Sequence, residues 1–241
     1  MLPPAIIQPG WRRLGHLICG CIRAVFSLTS RYNFLMRVLI TAGPTREPID
    51  PVRYIGNRSS GKMGSALVRA SVAAGHSTTI IAGPVTEPFP SEARRIDVET
   101  AAEMLVAVLR EFPEHDLLIM AAAVADYRPV TASAQKLVRA GVRVLELEPT
   151  EDVIAAAGRI KKPSQKTVGF SLESSPDIDR VRGKMRQKNL DLIVYNPVAT
   201  IASDSIQPSL LYADGRVENL ESRSKGDFAD MLLQRAAQLF V

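Results

Sequence analysis

Cysteine is almost missing from this 241-residue chain. It occurs only as Cys19 and Cys21, and residues 36–241 have none. That excludes a disulfide framework and thiol catalysis from the larger part of the chain. Histidine is nearly as scarce: beyond residue 35 only His76 and His115 occur. A Ser–His triad or a His-rich metal centre cannot be drawn from two distant imidazoles, so no protein-held metal is expected. No long hydrophobic run is present either. The apolar stretch Leu14–Leu28 is interrupted by His16 and Arg23, too short and too charged for a membrane span. Acidic residues are absent before Glu47. These gaps leave electrostatic rather than nucleophilic catalysis, and they fit a reducing cytoplasm.

The formal net charge of +5 is misleading. Arg12, Arg13, Arg23 and Arg31 all precede residue 36, and without those four the remainder carries about +1. A nearly neutral domain gives no reason to expect a nucleic-acid partner. Residues 1–35 read as an N-terminal extension, disordered or non-native, with a targeting peptide as the alternative. Met36 stands directly before the first predicted strand. Residues 36–241 are long enough for one sizeable α/β domain.

From Met36 onward strands and helices alternate. Val38–Ala42 is an apolar run closed by Gly43-Pro44, as a buried strand should be. Ser60–Gly75 predicts a helix with Met63, Ala66, Leu67, Ala70 and Ala74 on one face. Thr78–Ala82 and Leu117–Ala123 predict two more strands. Thr100–Arg110 predicts a helix opened by a capping box, Thr100 with Glu103. This order implies a Rossmann-like, three-layer α/β fold, with a mostly parallel sheet and helices on both faces. The second half predicts strands at Val142–Leu147, Val168–Leu172 and Leu192–Tyr195, and helices at Glu151–Arg159 and Asp177–Lys188. A hairpin at Ser209–Ala213 and Val217–Leu220 turns at Asp214-Gly215, which suits a type I′ turn. Lys225–Phe240 closes the chain as an amphipathic helix.

Gly56–Met63 nearly matches the phosphate-binding pattern G-x-x-x-x-G-K-[ST]. Met63 stands where a hydroxyl would hold Mg²⁺, and twelve residues, Pro44–Ile55, separate the motif from its strand. A P-loop is therefore not expected. The segment still favours anions. Ser59, Ser60 and Gly61 can bring backbone N–H groups close to an oxyanion, a helix N-terminus follows, and Arg58 and Lys62 add positive charge. Ligands of open α/β sheets bind outside the carboxyl ends of the strands, which brings the segments after Gly43 and after Ala123 to one crevice.

Thr41–Ile55 followed by Asn57–Gly64, then Ala121-Ala-Ala-Val-Ala-Asp-Tyr-Arg-Pro129, resembles the opening motifs of bacterial phosphopantothenoylcysteine synthetases. Further matches are Lys136, the stretch Leu147–Val153, Val168-Gly-Phe170, Lys184–Asp191 and Asn196. Together they cover nearly all of residues 36–241 in order. The resemblance implies a ligase that joins 4′-phosphopantothenate to L-cysteine through an acyl-cytidylate, with CTP and Mg²⁺, and with ATP as the alternative nucleotide. It implies that Asn57 acts on the intermediate and that Arg53 serves its conversion. Asp126 would hold the ribose and Lys136 the triphosphate. Phe170, Lys184 and Lys188 would contact the nucleotide, with Ala122, Ala123, Thr150, Glu151, Asp152 and Val153 lying in the same motifs. It also implies a homodimer with a β-rich C-terminal dimerisation part, and a decarboxylase supplied by a separate chain. One departure stands out: Leu137-Val138-Arg139 follows Lys136, where the family often has Ile-Lys-Lys.

Each residue has an ordinary structural alternative. Asp126 can shape a turn, Asn57 can cap a loop, and Phe170 can be core. Lys184 and Lys188 form an i,i+4 pair that suits a solvated helix face, and Lys136 suits plain surface. An NAD(P)-dependent oxidoreductase is the rival enzyme class, but Gly43-Pro44-Thr45 is not its G-x-G-x-x-G turn. A regulatory subunit without activity is the non-enzymatic rival, and Asn57 and Lys136 argue against it.

Overall fold

The computed structural model describes residues 35–173, 177–197 and 205–241. Leu35–Val241 forms one structural unit, and the expectation for residues 1–35 lies, Leu35 apart, outside the described residues. The first half runs β1 (Arg37–Ala42), β2 (Arg46–Pro48), β3 (Tyr54–Gly56), α1 (Lys62–Ala73), β4 (Ser77–Ala82), β5 (Arg94–Asp97), α2 (Ala101–Glu111), β6 (Leu117–Met120) and β7 (Tyr127–Pro129). The second half runs β8 (Leu147–Pro149), α3 (Val153–Ile160), β9 (Lys166–Glu173), α4 (Ile178–Gln187), β10 (Leu192–Pro197), β11 (Ser205–Ile206), β12 (Ser209–Tyr212), β13 (Val217–Asn219), β14 (Arg223–Ser224) and α5 (Lys225–Ala237).

The central sheet has eight strands in the order β13-β12-β10-β9-β6-β1-β4-β5. The six from β10 to β5 are parallel, and the β12–β13 hairpin adds antiparallel to β10. The chain starts in the middle at β1, winds outward to β5, returns to β6 and winds outward the other way. The reversal between β1 and β6 opens a crevice at the carboxyl ends of those strands. Period-two alternation assigns the faces. Val38, Ile40 and Ala42 of β1 pack with Leu67 of α1 and with Phe228 and Leu232 of α5. Leu39 faces the other way, with Met104 and Val108 of α2 and Ala157 of α3, while Val181 and Met185 of α4 pack with Ile193 on the same side. This is the expected three-layer arrangement. Burial of each large side chain in these layers stabilises the fold by about 1.5–3 kcal/mol.

Helix ends follow the capping rules. Thr100 caps α2 by accepting from Glu103 N–H at 3.1 Å. Glu103 reaches back to Glu99 N–H at 2.6 Å, one residue before the cap itself. The buried Glu47 carboxylate accepts from Ala101 N–H at 2.7 Å, fixing the β2–β3 hairpin to the positive end of α2. Gly183 lies inside α4 with no heavy atom within 4 Å of a built Cβ. Gly183→Ala therefore removes only the entropic penalty of a helical glycine, and thermal unfolding should show a gain of about 0.5–1 kcal/mol.

Several local expectations need correction. α1 begins at Lys62 rather than Ser60, because Gly61, at φ +78°, takes the cap position; Ala74 is exposed. The strand expected over Leu117–Ala123 ends at Met120, where the chain leaves the sheet to build a loop. The strand expected over Val142–Leu147 is absent up to Glu146, and pairing begins only at Leu147. Its alternating valines have no strand beside them: Val142 is 97% and Val144 94% exposed. The hairpin turn is not type I′, since Gly215 is left-handed and Asp214 is not. Tyr212 N–H bonds Arg216 C=O across a three-residue loop instead.

Candidate active site

A cavity of about 620 Å³ lies along the carboxyl ends of β6, β9 and β10, in the size range of small-molecule sites. One wall is the segment Asn57–Gly64 leading into α1. The floor is Met120–Asp126 with Gly169–Leu172. The opposite wall is Thr150–Ile154 with Lys184 and Lys188.

The α1 wall presents an open helix N-terminus. α2, α3, α4 and α5 begin with side-chain caps from Thr100, Asp152, Asp177 and Ser224. α1 has a glycine at that position, no side-chain cap and no acidic residue in its first turn. Its terminal N–H groups and positive dipole end thus open on the cavity. Ser59 Oγ and Ser60 Oγ lie 3.4 Å from the amides of Gly61 and Lys62, a distance at the limit for such bonds. Gly64 lets the helix sit directly on β1: a Cβ there would lie 2.2 Å from the Ala42 Cβ. Arg58 and Lys62 line the same wall.

The floor loop is positioned by three threonines, of which the sequence reading named only Thr150 as a site residue. Thr41 Oγ1 accepts from Ala122 N–H at 3.2 Å, and Thr45 Oγ1 accepts from Ala125 N–H at 2.9 Å. Thr150 donates its hydroxyl to Ala125 C=O at 2.6 Å, and its N–H bonds Asp126 C=O at 2.9 Å. Thr150 therefore shapes the turn that presents Asp126. Asn57 reaches across to this loop, its Nδ2 donating to Val124 C=O at 2.8 Å. One amide N–H and the carbonyl oxygen of Asn57 remain for a ligand. The Asp126 carboxylate lines the cavity and has no hydrogen-bond or ionic partner among the described residues.

On the far wall the charges are matched. Asp152 caps α3 by accepting from Ala155 N–H at 3.0 Å and pairs with Lys188 Nζ at 2.8 Å. Glu151 pairs with Arg159 at 2.6 Å. Lys184 Nζ donates to Ser171 Oγ at 3.3 Å. Phe170, one residue earlier on the strand, faces the other side and meets the Phe228 ring edge-on at 6.5 Å. It is half-buried, serving both core and cavity. Val153 is core at the cavity edge. Among the described residues, no group of three or more His, Cys, Asp and Glu is arranged as a metal cage. Glu151 and Asp152 are engaged by Arg159 and Lys188.

The sequence reading gave Asn196 no role, yet its buried side chain lines the cavity, and its Oδ1 has no hydrogen-bond partner among the described residues. A buried acceptor without a partner at a cavity suits a ligand N–H or O–H. An asparagine ending the apolar run Leu192–Tyr195 was the available signal. Lys225 and Ile206 line the cavity as well and were not singled out.

Arg53 and Lys136 do not reach this cavity within the chain. Arg53 is about half exposed and pairs with Asp50 at 2.8 Å. The backbone at Leu137, next to Lys136, is bound to the same turn: Arg53 Nη1 donates to Leu137 C=O at 3.2 Å, and Leu137 N–H to Asp50 Oδ2 at 3.2 Å. The Lys136 side chain is exposed and has no partner among the described residues.

The strand order and the open helix end define a Rossmann-like α/β domain with a cavity beside its switch point. The family model of DFP, the DNA/pantothenate metabolism flavoprotein C-terminal domain, matches residues 35–240, and the chain belongs to that family. Its relatives include the coenzyme A biosynthesis bifunctional protein CoaBC of Vibrio cholerae, 44% identical over 166 residues, which are 68% of this chain and 42% of that protein. CoaBC of Bacillus subtilis is 41% identical over 208 residues, 84% of this chain and 51% of that protein. A protein named cysteine/cysteine sulfinic acid decarboxylase, from an unknown prokaryotic organism, is 38% identical over 255 residues, 97% of this chain and 71% of its own. The crystal structure of the C-terminal domain of a CoaBC protein matches with a TM-score of 0.73 at 35% identity, covering 84% of this chain and 94% of that domain. The chain spans about half the length of these CoaBC relatives. The resemblance drawn from the motifs holds at the level of family and fold. Among the described residues, no helix is long and apolar enough to cross a membrane.

Proposed function

We propose that this domain joins 4′-phosphopantothenate to L-cysteine in the cytoplasm, using CTP and Mg²⁺ through an acyl-cytidylate. The uncapped, acid-free start of α1, with Asn57 on the same wall and Asp126 on the floor of one cavity, carries this reading. Both substrates of the first step are anions, so the site must neutralise charge and align the groups. The substrate carboxylate attacks the α-phosphorus and pyrophosphate leaves. Arg58, Lys62 and the first amides of α1 take the phosphate charge, while Mg²⁺, when bound, screens the phosphate oxygens. In the second step the cysteine amine attacks the acyl carbon, loses a proton, and CMP leaves. Asn57, tethered to Val124 C=O, directs its free amide groups at the acyl or phosphoryl oxygens without competing as a nucleophile. Asp126, with no partner among the described residues, accepts from the ribose hydroxyls.

Arg53 and Lys136 join the site through a homodimer in this reading. The segment that follows Lys136 carries Val138, Val142 and Val144, all more than three-quarters exposed, which is the character of a surface meant to be covered. Lys188 serves the nucleotide only when an anion replaces Asp152. Asp152→Asn keeps the α3 cap, since asparagine caps as well as aspartate. It frees Lys188, and the KM for CTP should fall about 2- to 5-fold, the worth of an exposed ion pair.

The test is an assay of the purified chain with 4′-phosphopantothenate, L-cysteine and CTP or ATP at equal concentration. Pyrophosphate release that needs both the acid and a nucleotide, with 4′-phosphopantothenoylcysteine as product, is the expected result. Carbon dioxide release from cysteine without nucleotide would instead favour the activity named for the decarboxylase relative.

A further inference from the structure

The turn closing the β2–β3 hairpin is organised around one buried carboxylate. The side chain of Asp50 is fully buried, whereas Arg53 beside it is half exposed. Asp50 Oδ1 accepts from the N–H groups of Val52 and Arg53, both at 2.8 Å, which shapes the turn locally. Oδ2 looks outward. It accepts from Arg53 Nη1 at 2.8 Å and from Leu137 N–H at 3.2 Å, a residue 87 positions later. Two further bonds join the same segments: Arg53 Nη1 to Leu137 C=O at 3.2 Å and Ser133 N–H to Ile49 C=O at 2.9 Å. Burial alone would raise the Asp50 pKa. The amides of Val52, Arg53 and Leu137 and the Arg53 charge outweigh it and hold the group below the ordinary carboxylate value, so it is ionised at neutral pH.

The anchored amide, Leu137 N–H, belongs to the peptide bond that leaves Lys136. Residues 142–146 have no secondary structure, so the clamp is the fixed point from which this arm departs. Among the described residues Lys136 has no side-chain partner to hold it, and a lysine is a point charge on a flexible stem. Its position is therefore set by its backbone. We propose that Asp50 is a positioning residue: it fixes the peptide at Leu137 through Oδ2 and so sets where the Lys136 ammonium meets the phosphates. The inference rests on the reading of Lys136 as a phosphate-binding lysine.

Asp50→Asn separates the two halves of the interaction. Its Oδ1 can still accept from Val52 and Arg53, whereas an NH₂ at the Oδ2 position faces two donors and cannot accept from either. Three readouts apply: hydrogen exchange of the peptide spanning 133–139, steady-state turnover with saturating CTP, and turnover of Asp50→Asn combined with Lys136→Ala. Exchange of that peptide should accelerate, and turnover should fall ~10- to 100-fold, the scale of a misplaced group of about 1 Å. In the Lys136→Ala background the second substitution should have no added effect. Asp50→Ser retains a turn oxygen but cannot span to Leu137, and it should reproduce the result if Asp50→Asn melts early. Multiplying losses in the double variant, or unchanged exchange at 133–139, would overturn the inference while the functional reading stands. An unmutated protein without acid-dependent pyrophosphate release would remove the functional reading and the inference with it.

Discussion

Asn57→Ala is expected to lower turnover by ~10²–10³-fold, the usual cost of removing one preorganised donor from a transition state. Its side chain makes one hydrogen bond among the described residues, Nδ2 to Val124 C=O at 2.8 Å, on the floor loop that also carries Asp126. The tether holds the amide at the cavity, on the wall that leads into α1. Alanine removes the donor and leaves the loop otherwise intact, because Thr41, Thr45 and Thr150 hold it independently. The loss should fall on the second step. With cysteine present, an acyl-cytidylate should accumulate, visible by mass spectrometry after acid quench. Asn57→Asp should be no better, since a carboxylate oxygen would face Val124 C=O and the phosphates. Turnover of Asn57→Ala near that of the unmutated protein would remove Asn57 from the chemistry.

Gly64→Ala should be the second large effect, and it reaches the same wall from its foundation. A Cβ at position 64 would lie 2.2 Å from the Ala42 Cβ and 3.0 Å from its Cα. Neither atom belongs to a side chain that can rotate away, so α1 must lift off the end of β1. Overpacking of this kind costs about 1–3 kcal/mol in stability. The lift also moves the open amides of Gly61 to Gly64 relative to Asn57, and the KM for CTP should rise ~10-fold or more as alignment is lost. Thermal melting and a CTP titration measure the two effects separately. A destabilised variant with an unchanged KM would show that the start of α1 does not carry the phosphates. Gly183→Ala, with open space around its new methyl group, is the matching control.

Much of this was legible because the signals are local. The run Val38–Ala42 stopped by Gly43-Pro44 marks a buried strand, and Thr100 with Glu103 marks a helix start. Gly61 and Gly64 around two serines mark an anion turn. What escaped the sequence depends on distant partners. Thr41 and Thr45 shape the loop at Ala122–Ala125 from about 80 residues away. The alternation at Val142–Leu147 has the period of a strand, but a strand needs a neighbour, and among the described residues none pairs with its valines; the first bond to another segment is Val130 N–H to Glu146 C=O. Arg53 stands four residues before Asn57, yet β3 and its turn lie between them, so the two side chains serve different places. Gly169, beside Ile154 of α3 and Leu190, and Ser171, bonded to Lys184 of α4, share one face while Phe170 faces α5, which period-two alternation would have indicated. The resemblance supplied roles for these residues but could not say which of them one chain brings together. Asp50 was invisible for the same reason, since its meaning lies at Leu137.

The most direct measurement is exchange of labelled pyrophosphate into CTP by the purified chain without cysteine. The reading of two anions joined in this cavity predicts exchange that requires 4′-phosphopantothenate and is lost with Gly64→Ala before Asn57→Ala affects it. Exchange that proceeds equally without the acid, or no exchange while 4′-phosphopantothenoylcysteine still forms, would contradict an acyl-cytidylate made at this site.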